Sequence, residues 1–307
     1  MVSVASDALP PGRTRLALGP AVRREAAGRP PLARQPVPIG ARLLEKMMNP
    51  GFSLVTWNVN SVRARLDNVL TYLDEHDPDV VCLQETKVED RLFPRVPFME
   101  LGYTVSLHGT KGHAGVATLT KQAPEDVTAG FVDGPADRHP RVLSCRVHGV
   151  VIYNLYVPNG QSVGSEAYRY KLEWLERLRG ELQANRAGDE VLLCGDFNIA
   201  PADADVWDVA AMQGSTHVSP PEREALARLR EFGLQDCYRR HHDESGRFTW
   251  FDYRANSWAK RHGLRIDLVL ATRRLHQSCA ACEHDYEPRD WDTPSDHIPV
   301  RATFSPA

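Results

Sequence analysis

Short apolar runs and amphipathic stretches alternate along the chain from Phe52 onwards. Apolar runs bounded by turn residues predict strands, and apolar residues three and four positions apart predict helices. The predicted strands are 52–57, 80–83, 103–108, 115–120, 142–147, 150–157, 190–194, 248–253, 266–270 and 300–304, and the predicted helices are 63–76, 167–182 and 222–232. This mixed order favours an α+β fold, with two packed sheets and helices outside them, over a strict βαβ array.

The amino-terminal part of the chain lacks this pattern. Residues 1–50 are rich in Pro, Arg, Ala and Gly, which predicts a disordered leader. Met47 and Met48 stand directly before the first predicted strand, so the alternative is that the protein starts at one of these methionines and the leader is mis-assigned. In both cases the expected folded domain is 51–307.

Charge is distributed unevenly between these two parts. Residues 1–46 carry eight basic and three acidic side chains, a net charge of +5, while the whole chain has a net charge of −3. The remainder is therefore acidic, at −8. A nucleic-acid binder usually has a basic surface, so the net charge does not by itself indicate a DNA partner. It fits a carboxylate-lined cation site, and any phosphate-binding surface must be local.

The cysteines indicate packing rather than cross-linking. Those at positions 82, 145, 194 and 279 lie in or beside apolar runs and are interpreted as small buried residues. Cys279 and Cys282 form a lone C-x-x-C motif, also interpreted as packing, with metal or redox use as the alternative. No disulfide framework is indicated, and no apolar run approaches the ~20 residues of a membrane span. We therefore expect a cytoplasmic protein.

Polar residues interrupt the predicted strand ends at five places, where catalytic groups usually lie. These are Asn58 with Asn60, Glu85, Tyr156, Asp196 with Asn198, and Asp267 with the turn Asp296-His297. Several of these residues also have a purely structural interpretation. The two asparagines could form an Asx turn, and Glu85 could be a surface charge beside Lys87. Tyr156 could be a packing residue, and the carboxyl-terminal residues could be unrelated turn residues.

The residue types at these places favour phosphate-ester chemistry on a hard cation. Asp196 and Asn198 are two apart on an extended segment and so point the same way, which suits a cation and a phosphate oxygen. Asp267 lies inside an apolar strand and needs a partner, for which His297 is the obvious candidate. Such a pair would orient the imidazole and raise its pKa. Oxygen donors predominate, which selects Mg²⁺ or Mn²⁺ over zinc and matches phosphate-ester hydrolysis.

Eight segments, in this order, resemble the exodeoxyribonuclease III branch of the exonuclease–endonuclease–phosphatase superfamily. They are Trp57-Asn58-Val59-Asn60, Leu83-Gln84-Glu85-Thr86-Lys87, Gly112-His113-Ala114-Gly115-Val116-Ala117, Tyr156-Val157-Pro158-Asn159-Gly160, Gly195-Asp196-Phe197-Asn198, Phe248-Thr249-Trp250-Phe251-Asp252-Tyr253-Arg254, Leu264-Arg265-Ile266-Asp267-Leu268 and Ser295-Asp296-His297. The resemblance runs from about Phe52 to Phe304 and leaves the leader outside.

The resemblance implies a DNase I-like, four-layered α/β sandwich over 51–307, with two mixed sheets face to face between outer helices. It also implies a Mg²⁺-dependent DNA-repair phosphodiesterase, in which Mn²⁺ can substitute, with 3′-to-5′ exonuclease and abasic-site endonuclease activities. The expected partner is double-stranded DNA with abasic sites or 3′-blocked ends, bound by a monomer away from any membrane.

Site residues carry over by position. The implied metal site is Asn58, Glu85, Asp196, Asn198, Asp296 and His297, and the implied catalytic residues are Tyr156, Asp196, Asn198, Asp267 and His297. Asp196 would orient and deprotonate the attacking water, while Asn198 would hold a phosphate oxygen and Tyr156 would stabilise the phosphate or the leaving group. His297, oriented by Asp267, would stabilise charge on the phosphoryl oxygens. Which group is the general base stays open.

The resemblance further implies that Trp250 and Phe251 form a pocket for a baseless sugar. The alternative is that one of the two is a core residue. Candidate phosphate contacts are Arg63, Arg65, Lys87, Lys111, Lys121, Arg254, Lys260 and Arg261. Ala114 departs from the larger residue common in the family, so the substrate contact there is expected to differ.

Two other functions compete with this one. A lipid or inositol-phosphate phosphatase would use the same site, but the aromatic pair and the match at 264–268 argue against it. A catalytically silent nucleic-acid binder should lack a ligand or the base. Glu85, Asp196, Asn198, Asp267 and His297 are all present, which favours an enzyme.

Overall fold

The computed structural model describes residues 51–306, which contain two six-stranded sheets. The prediction made for the leader, 1–50, lies outside these residues. The first sheet holds β1 (Phe52–Asn58), β2 (Val80–Gln84), β3 (Thr104–His108), β4 (Val116–Thr120), β11 (Cys279–His284) and β12 (Val300–Phe304), in the order β11-β12-β1-β2-β4-β3. The second holds β5 (Glu125–Ala129), β6 (Val142–Val147), β7 (Val150–Tyr156), β8 (Val191–Asp196), β9 (Leu234–Asp236) and β10 (Asp267–Thr272), in the order β5-β6-β7-β8-β10-β9.

Each sheet contains one parallel pair of strands. β1 runs parallel to β2 with Asn58 opposite Gln84, and β7 runs parallel to β8 with Tyr156 opposite Asp196. The other neighbours within the two sheets are antiparallel, so both sheets are mixed. Because the strands of a parallel pair end at the same edge of a sheet, the backbone alone brings the polar residues that follow them together in pairs.

Residues 51–306 form six α-helices, of which the first four cover the outer faces of the two sheets. The six are α1 (Leu66–His76), α2 (Arg95–Glu100), α3 (Glu166–Asn185), α4 (Pro220–Arg230), α5 (Ser257–Lys260) and α6 (Arg273–Ser278). Apolar residues of α1 and α2 pack on the first sheet, and those of α3 and α4 pack on the second. A third apolar cluster lies between the sheets. This arrangement confirms the four-layered sandwich.

The alternation of side chains along a strand explains why β1 reads as a continuous apolar run. Phe52 and Leu54 face the other sheet, whereas Val55 and Trp57 face the helices. Successive side chains of a strand point to opposite faces, so a strand covered on both sides must be apolar at nearly every position.

A buried polar contact joins the two sheets near the ends of β2 and β7. Gln84 Nε2 donates to Asn154 Oδ1 at 2.8 Å and to Thr56 Oγ1 at 2.9 Å. Asn154 Nδ2 in turn donates to the carbonyl of Ala117 at 2.9 Å. Hydrogen bonds of this kind, made in the interior, fix the relative position of the two sheets at the end where the parallel pairs stop.

Two predicted elements need correction, and several elements were missed. The predicted strand 248–253 is wrong, because this segment forms only isolated bridges from Trp250 to Leu264 and to His297. The amides of Thr249 and Trp250 both bond to the carbonyl of Leu264, at 3.0 and 2.9 Å, which breaks the alternation of a ladder. The helix predicted at 63–76 begins only at Leu66. Strand β5 was missed because its residues are mostly exposed and polar, and α2, α5 and α6 were missed because they are short.

The cysteine interpretation is confirmed. All six cysteines are free and buried, and Cys279 and Cys282 lie on β11 within the core between the sheets. Among the helices of residues 51–306, none has the length and apolar character that crossing a membrane requires.

Candidate active site

Three ionisable side chains from distant parts of the sequence meet at the end of both sheets. Glu85 follows β2, Asp196 ends β8, and His297 lies in the loop before β12. One ligand atom from each lies within 4.8 Å of the others, so the group could hold a divalent metal ion. The predicted convergence of these three residues is therefore present in the structure.

Glu85 stands where the chain turns sharply out of β2. Its φ of +51° lies in the left-handed region, which is costly for a residue with a side chain and points to a constrained site. Its carboxylate accepts from Asn58 Nδ2 at 2.8 Å and forms an ion pair with Lys87 at 2.8 Å. Glu85 therefore forms the surface ion pair with Lys87 that the sequence left open, and it also lies close to Asp196 and His297.

Asn58 bridges the two carboxylates of the site. Its Nδ2 donates to Glu85 and also to Asp196 Oδ2, the second at 3.0 Å. Its Oδ1 accepts the backbone amide of Asn60 at 3.0 Å, which is the Asx turn considered as the structural alternative. The amide nitrogen, rather than the oxygen, thus faces the carboxylates, so a role for Asn58 as metal ligand stays a prediction.

Asp196 is held rigidly and is almost fully buried, at 1% exposure. The preceding Gly195 has a φ of +136°, and a Cβ there would lie 1.9 Å from the carbonyl of Leu155, so only glycine lets β8 approach β7 this closely. Asp196 Oδ1 accepts the Asn198 amide at 2.9 Å, and Oδ2 accepts Asn198 Nδ2 at 3.2 Å. Burial raises the pKa of Asp196 to about 7, although His297 opposes the rise.

His297 forms the predicted pair with Asp267. Its Nδ1 lies 2.8 Å from Asp267 Oδ2, and its Nε2 lies 3.8 Å from Asp196. Burial alone would lower the pKa of His297, but Asp267 and Asp196 outweigh it and raise the pKa to about 10. A protonated imidazole has no free lone pair. The two carboxylates thus favour the protonated imidazole, and the predicted role of His297 as a metal ligand stays a prediction.

Tyr156 lies beside the same carboxylates and is 8% exposed. Burial raises the pKa of its hydroxyl, and Glu85 and Asp196 raise it further. Arg141 stacks 4.6 Å from the ring centroid. Tyr156 therefore stays protonated at neutral pH and can donate a hydrogen bond or act as a weak acid.

Asp296 lies at the rim of the site. Asn60 Nδ2 donates to its Oδ1 at 2.9 Å, and Trp250 Nε1 donates to its Oδ2 at 3.0 Å. Both carboxylate oxygens are thus already engaged, and Asp296 is not one of the three convergent residues. Its predicted role as a metal ligand stays a prediction.

The donor set suits a hard divalent cation. Two carboxylates, from Glu85 and Asp196, face each other across Asn58 with an imidazole nitrogen nearby. Facing carboxylates repel each other unless a cation or a proton compensates them. Oxygen donors of this kind match Mg²⁺, Mn²⁺ or Ca²⁺ better than zinc.

Basic residues line a cleft beside Glu85. The cleft has a volume of about 290 Å³, and its cationic residues are Arg63, Lys87, Arg91 and Lys111. Three of these were predicted as phosphate contacts, and Arg91 was missed because nothing in its local sequence distinguishes it. The local basic surface that the acidic net charge required is therefore present.

The other predicted phosphate contacts are placed differently. Arg65 donates to the carbonyl of Asn60 at 2.6 Å and to Tyr253 OH at 3.0 Å. These bonds hold the loop that follows β1 in position. Lys121 follows the end of β4 that pairs with Val80, at the opposite end of the sheet from Glu85, and it forms an ion pair with Asp77 at 2.9 Å. The structure does not bring Lys121 to the site, because β4 runs antiparallel to β2.

Arg254, Lys260 and Arg261 are exposed on the segment after the aromatic pair. Arg254 forms an ion pair with Asp252 at 2.8 Å. The guanidinium of Arg261 lies 4.4 Å from the Trp258 ring centroid. DNA contacts by these three residues stay predictions.

The aromatic pair divides into one surface residue and one core residue. Trp250 is partly exposed and binds Asp296, whereas Phe251 is 1% exposed and packs edge-to-face on Trp258. The structure therefore corrects the prediction that both rings form a sugar pocket, because Phe251 is buried against Trp258 and only Trp250 reaches the surface. The alternative that one of the two is a core residue is confirmed for Phe251.

Several residues at the site were missed from the sequence. Leu264 and Ile266 form the buried apolar surface on which Trp250 packs. Ser295 Oγ donates to the carbonyl of Asn58 at 2.7 Å and accepts the amide of His297 at 3.2 Å. All three carried a signal, since they lie within the quoted segments Leu264-Arg265-Ile266-Asp267-Leu268 and Ser295-Asp296-His297, but no role was assigned to them.

His217 is a further missed residue. Its Nδ1 lies 2.6 Å from the carbonyl of Asn198, and its ring centroid lies 6.4 Å from that of Trp250. Burial lowers the pKa of His217 to about 4, so the ring is neutral at physiological pH. It stands in an irregular loop without any apolar period or motif, which explains why sequence reasoning passed over it.

Comparison with known proteins agrees with the fold and the site. The sequence model of the Endonuclease/Exonuclease/phosphatase family matches residues 55–297. An exodeoxyribonuclease III from Haemophilus influenzae is 33% identical over 269 residues, which is 81% of this chain and 98% of the relative. An AP endonuclease structure from Archaeoglobus fulgidus is 38% identical, with a TM-score of 0.80, and the match covers 82% of this chain and 99% of that one.

A third relative is a 3′ phosphatase from Neisseria, solved bound to a product DNA hairpin. It is 35% identical with a TM-score of 0.81, over 82% of this chain and 99% of that one. Fold, site and comparisons define a hydrolase of phosphodiester bonds, and the chain belongs to the Endonuclease/Exonuclease/phosphatase family. Within that family it is a nuclease of the exodeoxyribonuclease III and AP endonuclease branch.

Proposed function

We propose that this protein is a Mg²⁺-dependent DNA-repair nuclease that cleaves DNA at abasic sites and removes nucleotides from 3′ ends. The observation that carries the proposal is the meeting of Glu85, Asp196 and His297 within 4.8 Å. These three residues combine a binding site for a hard cation, a carboxylate whose pKa is raised and a protonated imidazole. We assign this activity to the domain 51–307.

Glu85 and Asp196 would hold the cation, with Asn58 and Asp296 at its edge. When bound, Mg²⁺ would supply positive charge opposite the phosphate and stabilise the carboxylate form of Asp196. Mn²⁺ offers the same preference for oxygen ligands and should substitute.

Asp196 is the best-placed base for the attacking water. It is buried and oriented by two hydrogen bonds from Asn198, so its carboxylate is fixed in position to accept a proton from water. Asn198 would contact a phosphoryl oxygen only if its Nδ2 left the carbonyl of Val157, to which it donates at 3.0 Å. General-base catalysis of this kind commonly contributes about 10²–10⁴-fold.

His297 and Tyr156 would stabilise the charge that develops on the phosphate. The imidazolium of His297 is oriented by Asp267 at 2.8 Å, so it need not reorganise during the reaction. The protonated hydroxyl of Tyr156 would donate to the phosphate or to the leaving oxygen.

Double-stranded DNA with abasic or 3′-blocked ends is the substrate class we infer. The relative from Neisseria was solved with a DNA product, and the cleft of Arg63, Lys87, Arg91 and Lys111 supplies a local cationic surface beside the site. We also propose that the protein acts as a monomer. Six free, buried cysteines support a reducing compartment such as the cytoplasm.

A second candidate activity is dominant processing of 3′ ends, including removal of a 3′ phosphate, with weak incision at abasic sites. One comparison favours it. A relative 35% identical to this chain is itself a 3′ phosphatase.

One assay tests both candidates. Duplexes carrying an internal abasic site, a nick with a 3′ phosphate, or a blunt end are incubated with Mg²⁺, with Mn²⁺ and with EDTA. We expect cleavage with either cation and none with EDTA, and the ratio of rates on the three duplexes separates the two candidates. Cleavage of none of the three duplexes, or full activity in EDTA, would refute the proposed function.

A further inference from the structure

A buried lysine lies directly behind the active site. Lys171 on α3 has no exposed side-chain surface, and Nζ donates to the carbonyl of Asn198 at 2.7 Å and to that of Asn159 at 3.2 Å. Its third partner is the carboxylate of Glu222 on α4. Burial lowers the pKa of Lys171, and Glu222 opposes that change.

Glu222 accepts several hydrogen bonds besides the one from Lys171. Its carboxylate accepts from Thr216 Oγ1 at 2.9 Å, from the amide of His217 at 3.0 Å and from Ser219 Oγ at 2.6 Å. It also accepts the Ser219 amide at 3.1 Å, which completes the cap of α4. The Lys171–Glu222 pair thus connects two helices to the loops that surround Asp196.

The carbonyl of Asn198 is the point at which this network meets the reaction centre. Asn198 has a φ of +52°, a left-handed conformation that needs support from its surroundings. Its carbonyl accepts from Lys171 and from His217, and its side chain contacts Asp196 and the carbonyl of Val157 at 3.0 Å. The two bonds to the carbonyl restrain Asn198 on the side away from the site, while its backbone amide and its Nδ2 donate to Asp196 at 2.9 and 3.2 Å.

We propose that Lys171 is a positioning residue of this active site, acting through Asn198 and Asn159 without touching the substrate. Catalytic groups need to stay within about 0.5 Å of their productive geometry, and a fixed ammonium bound to two carbonyls supplies that restraint. Asn159 Nδ2 donates to Asn198 Oδ1 at 3.2 Å, so both carbonyls that Lys171 holds belong to residues in contact with each other. This inference rests on the proposed function, because it concerns the same reaction.

The test replaces the ion pair without leaving a buried charge. In K171M/E222Q both charges are removed, and the glutamine can still cap α4, so the fold should persist. We expect kcat on the preferred duplex to fall about 10- to 100-fold with KM changed less than about threefold, since misplacement of a catalytic group acts on the transition state. K171Q/E222Q keeps one donor toward Asn198 and should recover part of kcat.

A matched control removes the pair of Arg301 and Asp285, which lie 3.2 Å apart near the far edge of the first sheet, as R301M/D285N. This control should lower the melting temperature without lowering kcat. The proposal is overturned if kcat follows the melting temperature across all three variants, or if either folded Lys171 variant keeps the wild-type kcat. If K171M/E222Q fails to fold, K171Q/E222Q decides by the same criterion. Wild-type cleavage measured alongside distinguishes failure of this inference from failure of the proposed function.

Discussion

Asp267 and His297 reach each other from different sheets, and their side chains lie 2.8 Å apart. Asp267 begins β10 of the second sheet, while His297 lies in the loop leading to β12 of the first. Thr249 Oγ1 accepts the amides of Ile266 and Asp267, each at 3.1 Å, and so fixes the start of β10. The contact between Asp267 and His297 therefore depends on the packing of the two sheets and on the irregular segment that contacts both of them.

Replacing Asp267 by Asn should lower kcat by about 10²-fold while leaving KM for DNA within about threefold, because the oriented imidazolium acts mainly in the transition state. Asn keeps the shape of the side chain but removes the charge that raises the pKa of His297. Steady-state kinetics on the preferred duplex check this. Asp292→Asn, at an exposed position, is the control. A kcat within threefold of wild type would show that the pair does not orient a reacting group.

The affinity for Mg²⁺ should rise with pH through about 7. Burial raises the folded-state pKa of Asp196 to about 7, above the value near 3.9 of an unfolded aspartate. Between these two values the metal-free folded protein binds the extra proton, so its stability falls as pH rises and Asp196 must ionise. A bound cation supplies compensating charge for that carboxylate. The rise in melting temperature caused by Mg²⁺ should therefore be small at pH 5 and larger at pH 8.

Thermal unfolding with and without Mg²⁺, at constant ionic strength set with NaCl, measures this dependence. Asp196→Asn is the control, since it cannot titrate, and it should flatten the dependence while abolishing most cleavage. A stabilisation by Mg²⁺ that is equal at both pH values in the wild type would mean that Asp196 does not compete with the cation for a proton.

Trp250 and Phe251 should behave oppositely when truncated to alanine. Phe251 is 1% exposed, so Phe251→Ala should cost about 3–5 kcal/mol of unfolding free energy. Trp250→Ala removes a partly exposed ring and should cost less stability, but it should reduce incision at abasic sites more than processing of blunt 3′ ends. Urea unfolding and the three-duplex assay measure both effects. Equal loss on all duplexes for Trp250→Ala would argue against a role in sugar recognition.

Arg265 anchors a buried charge network that should govern acid stability. It donates to Asp205 at 2.7 Å and to Asp236 at 2.8 Å, and it is 1% exposed. Burial alone would raise the pKa of Asp205, but Arg265 outweighs it, so the pKa is lowered below the unfolded value. The stability from Asp205 is therefore present above about pH 4 and lost as pH falls through the folded pKa.

Arg265→Met should cost about 3–5 kcal/mol of unfolding free energy, because it leaves buried Asp236 without its charged partner and buried Asp205 with Arg239 alone. Arg254→Met, at a guanidinium side chain that is 87% exposed, is the control and should change stability by less than about 0.5 kcal/mol. Urea unfolding from pH 3 to 7 gives both values. If Arg265→Met is as stable as the control, the network contributes nothing measurable.

Much of the fold and of the site could be predicted from local patterns in the sequence. The apolar run of β1 and the spacing of α3 come from side-chain periods that local geometry imposes, and the resemblance named the four-layered sandwich. Asp196 and Asn198 were found because charge and amide at the end of a buried strand are unfavourable unless they are used. Asp267 was paired with His297 by the same reasoning, since a carboxylate inside an apolar strand needs a partner.

Tertiary structure alone decided what each polar group contacts. Lys171 and Glu222 lie on amphipathic helices at positions that look like solvated surface, and only the packing of α3 against α4 turns them into a buried pair behind Asn198. Lys121 and Arg63 are both basic residues near strand ends, and only the antiparallel direction of β4 sends Lys121 away from the site. The residue type sets the chemistry of a side chain. Its burial and its partners depend on contacts between residues far apart in the chain.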